Sequence, residues 1–208
     1  MALYQSIKQQ WLKPSEEHLA LWKARLIKWR KEGAVTKLEH PTRLDKARAL
    51  GYKPKNGIIV VRVKLLRGGR QRQKFSSGRK PRQMRRMLIV HKNYQSIAEE
   101  RANKGYVNCE VLNSYYVAQD GKHFWFEVIL ADRELVSKYA GFEWLADKAN
   151  YGRVYRGLTR SARKSRGLQG KGKGFEHMRP SKTANKFRRL RRNVNRNKED
   201  LPLPKTSY

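Results

Sequence analysis

Apolar positions along the chain fall into a few short periodic runs separated by long polar ones. Leu3, Ile7 and Trp11 recur at four-residue spacing, which predicts a helix over residues 2–13. Ser15 then stands before Glu16 and Glu17, an N-cap followed by acids that complement a helix dipole. Leu19, Trp22, Leu26 and Trp29 mark the stripe of a second amphipathic helix that Gly33 ends. The stripe is expected to pack on the core. A base-stacking platform is the alternative, because Lys23, Arg25, Lys28 and Arg30 are interleaved with it.

Thr42 with Asp45 reads as a capping-box variant opening a two-turn helix over 43–50, capped by Gly51. Asn56-Gly57 introduces a strand over 58–66, where Val61-Arg62-Val63-Lys64-Leu65 alternates. The expectation is one buried face and one basic face resting on nucleic acid. Ser96 to Glu99 reads as a capping box for a helix closed by Gly105. Residues 106–119 and 122–131 are strand-like and joined by Asp120-Gly121, a strong hairpin signal. Residues 132–150 are weakly helical, and an arginine-rich helix is expected over 182–197. The fold class is therefore a mixed α/β core with long basic extensions that are irregular without RNA. The core is assigned to residues 1–150, with a basic arm at 67–93, and the extension to 151–208.

Charge sharpens this picture. The chain has 208 residues with 49 Lys+Arg against 17 Asp+Glu, a net charge of +32. Residues 40–93 hold 17 of the bases with one acid, Asp45, and residues 151–198 hold another 17 with one acid, Glu176. The remainder carries 15 of each sign. Such polycationic blocks repel themselves unless a dense polyanion is present. The run RGGRQRQKFSSGRKPRQMRR lacks any apolar period; from Arg70 to Arg86 it would reach about 55–60 Å if extended. It makes sense as an arm embedded in something anionic.

Catalytic and metal chemistry find little support. Gly167 to Lys173 matches GxxxxGK, but Gly174 replaces the hydroxyl residue that ligates Mg2+, and no apolar strand precedes it. Glycines among lysines here suit a close approach to phosphate. The histidines are scattered without ligand spacing, and the single cysteine, Cys109, reads as a small buried hydrophobe. No apolar run exceeds four residues, so neither a membrane span nor a signal segment is expected. Arginine forks pair with phosphate and stack on bases, and irregular arms suit folded RNA better than a duplex groove. A DNA-compacting chromatin protein and an RNA-modifying enzyme are the rival readings.

The blocks HPTRLDKARALGYKPKNG (40–57), LRGGRQRQ (66–73), YQSIAEERA (94–102), VLNSYYV (111–117), FEVILAD (126–132) and RGLTRSARKSRGL (156–168) closely resemble a known family. It is large-subunit ribosomal protein fifteen of the archaeal and eukaryotic type, with the archaeal style favoured. The resemblance implies a structural, non-enzymatic component of the cytoplasmic ribosome, partnered by large-subunit rRNA and neighbouring ribosomal proteins. It implies no membrane, no homo-oligomer and no cofactor; any Mg2+ is expected to belong to the rRNA. Carried onto this chain, it implies RNA contact by Arg43, Lys46, Arg48 and Lys53, by Arg67, Gly68, Gly69, Arg70 and Arg72, and by Arg156, Arg160, Arg163, Lys164 and Arg166. The charge blocks add Lys74, Arg79, Lys80, Arg82, Arg85 and Arg86 in the arm. They also add Lys171, Lys173, Arg188, Arg189, Arg191 and Arg192 in the extension.

Overall fold

The computed structural model describes residues 3–72, 87–170 and 190. The chain forms two units, residues 1–162 and 163–208. In the first, α1 (Leu3–Leu12) and α2 (Glu16–Lys31) form a helical pair, followed by β1 (Val35–Leu38), α3 (Leu44–Ala49) and β2 (Ile58–Leu66). A two-stranded ribbon, β3 (Arg70–Gln71) with β4 (Met87–Leu88), precedes α4 (Tyr94–Gly105), β5 (Cys109–Gln119) and β6 (His123–Asp132). The short helix α5 (Arg133–Val136), two single 3-10 turns and α6 (Arg160–Ser165) complete the described elements. The class is mixed α/β, as the sequence implies.

Four strands pair in the order β1-β2-β6-β5, all antiparallel. Side-chain alternation sends Ile58, Val60, Trp125, Ile129 and Ala131 into one core with Trp29, Ala47 and Tyr52. It sends Val61, Val63, Leu65, Phe126, Val128 and Leu130 into a second core under Ala98 and Ala102 of α4. Helices thus cover both faces of the sheet. Each fully buried aliphatic side chain contributes about 1.5–3 kcal/mol relative to exposure. Register shifts after Val111 and after Tyr116 mark bulges in β5.

The hairpin turn is fixed by Asp120, whose Oδ1 accepts from the backbone N–H of Lys122 (2.7 Å) and His123 (2.5 Å). Ser15 caps α2 as its position implies, accepting from the His18 N–H at 3.4 Å. Gly51, at φ +100°, follows α3 in the left-handed conformation expected of a C-terminal cap.

Three local expectations are corrected. Thr42 does not cap α3; Arg43 occupies the cap, and the Thr42 N–H donates instead to Glu127 Oε2 at 3.1 Å. Ser96 does not cap α4 either. Asn93 does, with its Oδ1 accepting from the Ser96 N–H at 2.7 Å, while Glu99 turns inward and is fully buried. The third correction concerns β2, whose basic residues Arg62 and Lys64 are not on an open face but are drawn onto α2. Arg62 is buried, donates from Nη2 to Glu32 at 2.5 Å, and lies 4.0 Å over the Trp29 ring. Lys64 Nζ donates to the carbonyls of Arg30 (2.8 Å) and Glu32 (2.6 Å), closing the C-terminal end of α2.

Candidate nucleic-acid interface

The expected RNA-contacting residues of the first block sit on and after α3. Lys46 and Arg48 are exposed on the helix, and Lys53 is exposed with its Nζ 5.3 Å from the Phe142 ring. Arg43 is different. It pairs with Asp45 at 2.9 Å and covers the Trp11 ring at 4.6 Å, so part of its donor fork is already used inside the protein.

The second block leaves the end of β2. Arg67 is exposed, reaches the Asp120 carbonyl at 2.5 Å and lies 5.0 Å from the Phe124 ring centroid. Gly68 holds φ +95° and accepts from the Tyr94 hydroxyl at 2.7 Å through its carbonyl. Gly69 lies against Met87, whose Cε occupies the space that any larger residue's Cβ would need. Arg70 folds back on the Leu66 and Gly68 carbonyls and lies 5.7 Å from Tyr94, whereas Arg72 is exposed. Lys74, Arg79, Lys80, Arg82, Arg85 and Arg86 lie outside the described residues.

In the third block, Arg156 is exposed and donates to the carbonyls of Ala149 (2.5 Å) and Tyr151 (2.8 Å). Arg160 is exposed on the first unit; Arg163, Lys164 and Arg166 are exposed on the second, where the Leu168 N–H donates to the Arg163 carbonyl at 2.9 Å. Lys171, Lys173, Arg188, Arg189, Arg191 and Arg192, the GxxxxGK residues from 171 on, and the expected helix over 182–197 lie outside the described residues apart from helical Leu190.

What holds the base of the third block is a polar network. Glu99 accepts from the hydroxyls of Thr159 and Ser161, both at 2.6 Å, and from that of Ser114. Asn93 Nδ2 donates to the Ser161 carbonyl at 3.0 Å, and Val154 and Ala162 are buried. Residues 151–162 are therefore seated on α4 and β5. A second buried carboxylate, Glu110, accepts from Arg133 (3.2 Å) and the Gly152 N–H (2.8 Å) through one oxygen.

A third, Glu127, accepts from the Tyr115 hydroxyl at 2.5 Å. Burial raises its pKa, and hydrogen bonds from Thr42 and Tyr115 oppose that only in part. Burial and the neighbouring Glu127 together push the Tyr115 phenol far up, so it stays a donor. At Asp120 burial acts upward but is outweighed by hydrogen bonds from Arg30, His123 and Lys122, which hold the carboxyl at about 2. Burial, reinforced by Asp132, lifts the Cys109 thiol to about 11, so it is neutral and a poor nucleophile.

Some cations escape a spacing argument because their partners are remote in sequence. Lys55 lies 4.5 Å from Tyr139, Arg153 lies 4.6 Å from Trp144, and Arg133 lies 4.3 Å from Tyr151. Among the described residues no group of three His, Cys, Asp or Glu is placed to hold a metal ion, and no helix is long and apolar enough to cross a membrane.

Known proteins resemble this chain along most of its length. The family described as Ribosomal L15 matches residues 2–185. A protein of Methanocorpusculum labreanum named large ribosomal subunit protein eL15 is 48% identical over 190 residues, covering 89% of this chain and 96% of its own. The protein of that name from Picrophilus torridus is 47% identical, covering 92% of this chain and 100% of its own. That from Halobacterium salinarum is 46% identical, covering 89% and 96%. With its sequence blocks in family order and its match spanning nearly the whole chain, this protein belongs to the ribosomal L15 family of the archaeal and eukaryotic type.

Proposed function

We propose that the chain is a structural, non-enzymatic constituent of the large ribosomal subunit that binds and stabilises folded 23S-type rRNA through its Arg/Lys-rich segments. The observation that carries the reading is the family match together with two blocks of 17 basic residues holding one acid each. Lys46, Arg48, Lys53, Arg72, Arg156, Arg163 and Lys164 are exposed, as phosphate contact requires. Each cation placed on a phosphate releases counterions, so binding is driven by the entropy of the displaced salt. The arms at 67–93 and from 151 onward would neutralise phosphates where RNA helices approach one another. The reading places the protein in the cytoplasm within the ribosome, beside other large-subunit proteins, and needs no cofactor of its own.

Sucrose-gradient fractionation of native lysate after a high-salt wash tests this. Stoichiometric recovery with the large subunit is expected. Release to the top of the gradient, or recovery with DNA, overturns the reading.

A further inference from the structure

Two concavities meet at Arg25 and Thr42, which line both. The first, a groove of about 580 Å³ between α1, α2 and the end of β5, is lined by Trp11, Leu19, Trp22 and Tyr116. The second, a cleft of about 480 Å³ between α2 and the loop after β1, is lined by Lys28, His40 and Arg62. One is aromatic and the other cationic.

The groove is built by a ladder of edge-packed indoles. Trp11 and Trp22 are 4.9 Å apart at 84°, and Trp22 and Trp29 are 5.2 Å apart at 82°. Only Trp29 is buried; Trp11 and Trp22 remain half-buried, and Leu19 and Tyr116 are 45% and 44% exposed. Guanidinium groups lie over both outer indoles, Arg43 at 4.6 Å from Trp11 and Arg25 at 5.9 Å from Trp22, so the open part of the groove is the surface of Leu19 and Tyr116 beside them. In the cleft, Glu32 is the one acid among the lining residues, and Arg62 already holds it at 2.5 Å. Arg25 and Lys28 are exposed and make no ion pair with a described residue. Arg62, with its side chain only 7% exposed, has an Nε with no hydrogen-bond partner in the described structure.

We infer that this pair of concavities is a nucleotide site: an unstacked RNA base enters the aromatic groove while its phosphate is held in the cleft by Arg25 and Lys28. The inference rests on the rRNA-binding reading above and extends it to a surface outside the residues named there, with Arg43, an RNA contact implied by the family resemblance, also lining the groove. The occupant follows from the juxtaposition. An apolar protein segment would satisfy the groove and leave the cations unmatched, whereas an unstacked nucleotide carries a flat π-system and an anion one sugar apart. Single-stranded RNA is recognised in this way, by bases stacked on aromatic or guanidinium planes beside backbone-tracking cations.

The test uses the full chain bound to large-subunit rRNA. Ultraviolet cross-linking followed by peptide mass spectrometry should place a nucleotide adduct on the peptides containing Trp11 or Trp22. In parallel, Arg25→Ala with Lys28→Ala, both on the exposed face of α2, should weaken rRNA binding about tenfold and reduce the salt slope by roughly 1.5. Adducts confined to other segments, with the double variant within twofold of the parent, overturn the site and leave the rRNA-binding reading standing. Cross-links from these peptides to another protein also overturn it. Failure of the parent chain to bind rRNA at all overturns both.

Discussion

Replacing Glu99 by Ala removes the acceptor shared by three buried hydroxyls. Ser114, Thr159 and Ser161 are 2%, 1% and 3% exposed, so bulk solvent does not reach the lost bonds. A buried polar group deprived of its partner costs about 1–3 kcal/mol. Partial relief comes from Ser161 Oγ, which lies 3.2 Å from Ser96 Oγ. The expected loss is therefore about 3–5 kcal/mol, a large part of the roughly 5–15 kcal/mol that stabilises a typical domain. Glu99→Gln keeps one acceptor oxygen and offers an amide to hydroxyls that rotate, so about 1–2 kcal/mol is expected. Glu100→Ala is the control. Its carboxylate pairs with exposed Lys92 at 2.7 Å, and such a pair contributes under about 1 kcal/mol. Urea unfolding of the full chain, followed by tryptophan emission in salt, measures all three. Because the network seats residues 151–162, trypsin should also cut Glu99→Ala sooner at Arg160. A Glu99→Ala variant no less stable than Glu100→Ala would refute the reasoning.

Arg62→Ala strands Glu32 and uncovers the Trp29 face, and about 3 kcal/mol should be lost in the same unfolding assay. Asp120→Asn should change the acid limb of stability. The parent carboxyl is lowered to about 2, so its contribution is present above the unfolded value near 3.9 and is lost as pH falls towards 2, a loss the variant should lack. Glu127 shows the opposite sign: its raised pKa means that its proton-linked stabilisation is complete below the unfolded value and disappears as pH rises through the folded one. The difference between the parent and Glu127→Gln in pH-dependent urea titrations should therefore grow in the variant's favour with rising pH. Gly57→Ala combines φ +84° with a Cβ 2.8 Å from Val136 Cγ2, and a loss of about 2 kcal/mol in midpoint-derived stability is expected.

Local signals are legible in the sequence. Asp120-Gly121 needs only its own side chain and backbone to turn the chain, and β2 begins and ends where apolar alternation does. What escapes such reading is decided by partners remote in sequence. Arg62 and Lys64 alternate as a solvent-facing strand would, and only the seating of α2 across that face covers them. Ser96 and Glu99 have capping-box spacing, yet Asn93 lies nearer the helix start and Glu99 has better partners 15 and 60 residues away. At the interface, the family blocks can be read directly, because they are contiguous. The cleft at Arg25 cannot, because Lys28, His40 and Arg62 come from three separate segments.

The buried carboxylates change how the protein presents itself to a polyanion. Outside the two basic blocks the chain is balanced at 15 bases and 15 acids. Yet Glu99, Glu110 and Glu127 are completely enclosed, and the Asp120 side chain is 6% exposed. These acids serve as internal counterions, answering hydroxyls, backbone and arginines within the fold. The exterior of the core is consequently more positive than its composition states. On the rRNA-binding reading proposed above, an RNA strand reaching the core would meet fewer repelling carboxylates than sequence arithmetic places there, and the core would add an attraction of its own to that of the basic blocks.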